Sequence, residues 1–152
     1  MTQEEKDLLL RDLSSRLPYN TKVLCRYRGE DDECMSEDVF ILNEIDTRLL
    51  SNPYWIGGNQ LQKNGFPCGI SDFAICIDDE DVFIKPYLRS MSNMTEEERK
   101  EYLAECDKDD MDAITTPRYH GTEWLITNHF DYRGLIPMGL ALEAPEGMYK
   151  TK

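Results

Sequence analysis

The stretches Lys22-Val23-Leu24-Cys25-Arg26-Tyr27-Arg28 and Val39-Phe40-Ile41-Leu42-Asn43-Glu44-Ile45 decide the fold. In the first, Val23, Cys25 and Tyr27 fall on one side of an extended chain while Arg26 and Arg28 fall on the other, which is the period of a half-buried strand. The second is apolar at every position from Val39 to Leu42, as expected of a strand with neighbours covering both faces. A polar, acidic turn at Gly29 to Ser36 lies between them. A hairpin is therefore predicted.

Upstream, Thr2 with Glu5 forms a capping-box signal, and Leu9, Leu10, Leu13 and Leu17 recur on one helical face, so a helix is predicted over about 3–16, ended by Pro18. Downstream, residues 46–71 are interrupted by Asn52-Pro53, Gly57-Gly58-Asn59, Asn64-Gly65, Pro67 and Gly69, and read as a long excursion with one short strand around Tyr54-Trp55-Ile56. Phe73–Ile77 and Val82–Lys85 read as two more strands, joined through Asp78-Asp79-Glu80-Asp81. Thr95 with Glu98 repeats the capping box and opens a helix over 96–106. Asp107 to Arg118 reads as a solvated linker, Glu123 to Phe130 as a short helix, and Leu140-Ala141-Leu142 as an edge strand or apolar anchor.

The order of elements predicts an α+β fold: an N-terminal helix, a small, mainly antiparallel sheet of four or five strands that can curl into an SH3-like barrel, then C-terminal helices. Residues 1–152 are expected to form a single domain. Within it, 1–90 would carry helix and sheet, and 91–152 a helical extension packed on them.

Thirty acidic against 17 basic residues leave a formal charge of −13 on 152 residues, a surface that repels polyphosphate. The excess is even along the chain, −7 over 1–90 and −6 over 91–152, so no basic arm stands apart and direct nucleic-acid binding is not expected. Cys25, Cys34, Cys68, Cys76 and Cys106 are odd in number and form no CxxC pair. Reduced thiols in a cytoplasmic protein are the expectation. No apolar run is long enough for a membrane span, and the first residues lack the basic and apolar pattern of an export signal.

Chemical motifs are sparse. The runs Glu30-Asp31-Asp32-Glu33 and Asp78-Asp79-Glu80-Asp81 lack the ligand spacing and glycine of a calcium loop, and the loop starting at Asp107 has Asp112 where glycine belongs and Arg118 where a bidentate glutamate belongs. They read as solvated turns, and no metal or cofactor is expected. A nucleophile and base could be drawn from Cys68 or Cys76 with His129, oriented by Asp131, but no spacing joins them, and Cys25 and Cys76 read as small core residues. Phosphate-loop and nucleophile-elbow patterns do not occur, so no catalytic residue is assigned and the chain is read as a non-enzyme.

Aromatic residues gather in or beside the loops: Tyr54, Trp55, Phe66, Tyr87, Tyr119, Trp124, Phe130 and Tyr132. Of these, Tyr54, Trp55, Phe66, Tyr119 and Trp124 are the candidate partner-binding residues, because large amphipathic rings anchor interfaces.

Arg16-Leu17-Pro18-Tyr19, Lys85-Pro86-Tyr87-Leu88-Arg89, Met94-Thr95-Glu96-Glu97-Glu98, Trp124-Leu125, Asp131-Tyr132-Arg133-Gly134-Leu135-Ile136 and Gly139-Leu140-Ala141-Leu142 resemble an uncharacterised family of short acidic proteins of gut Bacteroidetes genomes and their phages and mobile elements. The resemblance implies an accessory or host-interference role and supplies no catalytic residue. Pro137 departs from the helix former expected between Ile136 and Gly139.

Three functional expectations follow. The first is a cytosolic, non-enzymatic module that meets an unidentified protein partner through its loop aromatics, with homodimer formation through an edge near 140–143 also open. The second is an acidic nucleic-acid mimic that occupies the basic cleft of a DNA-binding protein or nuclease. The third is an enzyme using the Cys/His set or a carboxylate-bound metal.

Overall fold

The structure is a computed structural model that describes residues 1–28, 35–46, 55–60, 73–76, 83–112 and 119–149. Its chain forms two compact units, Met1–Tyr87 and Leu88–Lys152.

In the first unit, helix α1 (Gln3–Arg16) begins as its sequence predicts. Glu5 N donates to Thr2 Oγ1 at 3.2 Å and Thr2 N donates to Glu5 Oε2 at 2.7 Å, so two amides that a helix start leaves unpaired are satisfied reciprocally. Pro18 lies in a 3₁₀ turn over Leu17–Tyr19, and Asn20 takes a left-handed φ of 53°, which ends the helix. Leu9, Leu10 and Leu13 are buried. Each contributes roughly 1.5–3 kcal/mol by leaving water. Asp12 and Arg16 are as buried as the leucines and pair with each other at 2.6 Å, one turn apart.

Five strands follow: β1 (Lys22–Arg28), β2 (Met35–Asp46), β3 (Trp55–Gln60), β4 (Phe73–Cys76) and β5 (Phe83–Leu88). They lie in the order β4-β3-β2-β1-β5, and all four pairings are antiparallel. Val23 faces Phe40 on one side and Pro86 on the other, while Cys25 faces Ile84. Val23, Cys25, Phe40, Leu42 and Ile84 therefore share one face, and each is at most 2% exposed. Helix α1 meets the sheet at β2.

The predicted α+β layout is the observed one. The SH3-like barrel is not supported: a barrel needs its end strands to pair, and among the described residues no pairing joins β4 to β5 or to the sheet's last strand, Leu142–Glu143. Burial alternates along β2: Phe40 and Leu42 are buried, while Val39 and Ile41 are largely but not fully covered. Gly57-Gly58-Asn59, expected to interrupt structure, lies inside β3, where pairing with Leu42 and Glu44 across a register shift holds the glycines extended. Tyr54, Phe66, Cys34, Cys68 and both acidic runs at 30–33 and 78–81 lie outside the described residues.

In the second unit, Leu88 leads into helices α2 (Glu96–Asp112) and α3 (His120–Thr127), which pack on each other, and the short strand β6 (Leu142–Glu143). The second capping box forms as predicted, with Thr95 N donating to Glu98 Oε2 at 2.9 Å and Glu98 N to Thr95 Oγ1 at 3.2 Å. Helix α2 runs past the expected end at 106 to Asp112, because neither glycine nor proline occurs before that point and Lys108 pairs with Glu105 at 2.6 Å along the helix. Helix α3 starts at His120, earlier than expected, and stops before His129, whose φ of 59° cannot continue a right-handed helix. Segment 131–139 makes turns, as Pro137 suggests. Leu88, Leu125, Ile126, Phe130, Leu135, Leu140 and Ala141 form the buried apolar set of this unit. Among the described residues no helix is long and apolar enough to cross a membrane.

Candidate functional site

The second unit carries a groove of about 680 Å³ lined by Arg89, Asn93, the turn Ala144–Gly147 and Tyr149. Its construction starts at Arg89, the residue after β5. Arg89 N donates to His129 O at 2.8 Å and Asp131 N donates to Arg89 O at 2.9 Å, so the backbone clamps Arg89 beside Phe130. The Arg89 guanidinium then lies 4.3 Å above the Phe130 ring centre and reaches both Glu98 carboxylate oxygens, at 2.8 and 3.0 Å. Fork geometry and a ring beneath it suit arginine and not lysine. The hydrogen bonds from Arg89, helped by Thr95, hold the Glu98 carboxyl below the ordinary carboxylate range against its partial burial.

Phe130 continues the stack inward. Trp124 lies parallel to it with ring centres 5.7 Å apart, and Tyr102 of α2 approaches Trp124 at 5.9 Å. Across the groove, Asn93 Nδ2 donates to Glu143 Oε1 at 2.8 Å, and Ala144 N donates to Leu88 O at 2.7 Å, which fixes the wall that the turn at Pro145 builds. Tyr149 stacks on His129 at 3.7 Å. His129 has a left-handed φ of 59°, just after the end of α3. Gly147 supplies the φ of 77° that the turn needs.

Arg89 and Asn93 are held by carboxylates of the same unit, so the groove presents a wall whose shape is set before anything enters it. Its volume falls within the range of about 300–1,000 Å³ typical of ligand clefts. Asp131, considered as the orienter of His129, spends its carboxylate on the backbone: Leu135 N and Ile136 N each donate to it at 2.8 Å.

Of the sequence-predicted partner residues, Tyr119 is 71% exposed at the start of α3. Trp124 is half-buried in the Phe130 and Tyr102 stack. Trp55 is the first residue of β3, and Tyr54 and Phe66 lie outside the described residues. Cys25 is buried, and burial, with the Asp38 charge second, pushes its thiol far up. Arg89, Asn93 and Tyr149 were not singled out from the sequence; the Lys85–Arg89 stretch and the second capping box were the only signals near them. The chain matches no protein-family model, no curated protein and no solved structure.

Proposed function

We propose that this chain is a non-enzymatic, cytosolic interaction module that receives a segment of a protein partner in the groove of its second unit. The observation that supports the reading is the prearranged wall: Arg89 is held by Glu98 and Phe130, and Asn93 by Glu143, so a docking segment meets ordered groups and little conformational entropy is lost on binding. Exposed Tyr119 supplies a further aromatic anchor on a helix that packs against α2. The acidic chain steers encounter and disfavours acidic competitors. An accessory or host-interference role fits such a module.

Photo-crosslinking tests it: a benzophenone amino acid is placed at Tyr149 or at exposed Gln3, and adducts formed in the producing cells are compared. A discrete protein adduct from position 149, lost when Ala144→Phe fills the groove, supports the reading. Identical adducts from both positions, or adducts indifferent to Ala144→Phe, overturn it.

A second reading, the nucleic-acid mimic, draws on α2, where nine of 17 residues are Asp or Glu and three are Lys or Arg. It requires competition with DNA for a basic protein, weakening steeply as salt rises.

A further inference from the structure

We infer that the segment received by the groove of the second unit is basic, with an arginine or lysine side chain seated against the groove residues Glu146 and Tyr149; this rests on the docking role proposed above for the same groove. The charge of the whole unit comes first. Residues 88–152 hold 13 acidic against eight basic side chains, a formal −5 with every residue of the stretch counted, Lys150 and Lys152 included. Such a field draws in a basic segment and slows the approach of an acidic one.

Pairing at the groove points the same way. Arg89 is the cation of the wall, and its charge is met by Glu98 through hydrogen bonds of 2.8 and 3.0 Å. Two carboxylates have no such match among the described residues. Glu143 accepts from the neutral Asn93 amide at 2.8 Å, and Glu146, exposed on the turn that forms the wall, meets no cation. A neutral or acidic segment laid on this wall would strip water from both carboxylates and return no opposite charge. A basic one replaces the lost hydration with charge-assisted hydrogen bonds.

Tyr149 completes the match. Its ring is stacked on His129 with ring centres 3.7 Å apart, which fixes an aromatic surface at the groove. A guanidinium or ammonium is attracted to such a ring, and Ala144, Pro145 and Gly147 offer small apolar surface to the methylene stem that carries it.

The test is fluorescence anisotropy of the full chain with three fluorescein-labelled peptides of one length, alike except that two positions hold arginine, neutral citrulline or glutamate. The arginine peptide is expected to bind, and to bind more weakly as salt rises. Citrulline is expected to lower affinity about tenfold or more, and glutamate to abolish binding. Glu146→Gln should weaken the arginine peptide about two- to fivefold, exposed Glu4→Gln in the first unit should leave it unchanged, and Ala144→Phe should remove it. Carbodiimide labelling of the wild-type chain gives a readout free of variants: bound arginine peptide is expected to protect Glu146 and not Glu4. No binding of the arginine peptide, equal affinity for its citrulline twin, equal loss in Glu146→Gln and Glu4→Gln, or an unprotected Glu146 under bound peptide overturns the inference. So does binding that appears only when Lys150→Gln and Lys152→Gln are combined, since the cation at the groove would then be the chain's own. The photo-crosslink from position 149 fails separately: a cellular adduct that the arginine peptide does not displace overturns this inference and keeps the docking role, whereas peptide binding with no cellular adduct counts against the docking role alone.

Discussion

Arg89 and Glu98 meet through two hydrogen bonds of 2.8 and 3.0 Å, and the same Glu98 closes the capping box of α2 with Thr95. One carboxylate therefore ties the start of α2 to the residue that forms one wall of the groove. Glu98→Gln is expected to cost about 1.5–3 kcal/mol, the range for a hydrogen bond to a charged group. Because the folded Glu98 pKa is depressed, the contribution is present above the ordinary carboxyl value of about 4.3 and is lost as pH falls through the folded value. Urea unfolding of both proteins should show a gap at neutral pH that closes on acidification; a gap independent of pH would refute the role given to the pair.

Asp12 and Arg16 are fully buried in α1 and paired at 2.6 Å. Removing one partner leaves a charge in the interior, so Asp12→Ala is expected to destabilise the first unit by about 3–5 kcal/mol. The double change Asp12→Leu with Arg16→Met should recover much of that loss, since it removes both desolvated charges. Chemical denaturation of the single and double variants decides the matter. A double variant no better than the single one would show that the pair contributes net stability.

Asp131 accepts from Leu135 N and Ile136 N, both at 2.8 Å, and so holds the turn that leads to buried Leu135 and Leu140. Asp131→Ala strips two amides of their acceptor and is expected to cost about 2–4 kcal/mol. Hydrogen exchange at Leu135 and Ile136 should accelerate before exchange in α2 does. If catalysis required Asp131 as an orienter of His129, an activity would vanish while those amides stayed protected.

Cys25 is 1% exposed, and burial is the first cause of its raised thiol pKa. A thiol kept protonated and covered does not react. Peptide mapping after N-ethylmaleimide treatment should find Cys25 unlabelled in the native chain and labelled in denaturant. Native labelling of Cys25 at a rate near that of a free thiol would contradict the packing described for β1.

Both capping boxes were legible as residue types at fixed offsets, because capping is a contact between residues three apart and needs nothing from the rest of the chain. The alternation in β1 was legible for the same local reason. Helix α2 was read too short because a run of charge looks like a solvated linker, whereas helix termination needs a breaker that the run lacks. The glycines of β3 were read as a break because their extended state comes from pairing with β2, a partner distant in sequence.

Residue order alone settled the α+β class and two helix starts, since those depend on periodicity and on neighbours along the chain. Three-dimensional packing alone decided that Arg89 would meet Glu98 and Phe130, that Asp131 would serve backbone amides, and that Lys22, Arg26 and Lys85 would share one face of a sheet. Each of those outcomes depends on register and on contacts across the chain, and a one-residue slip in pairing would turn every strand side chain to the opposite face.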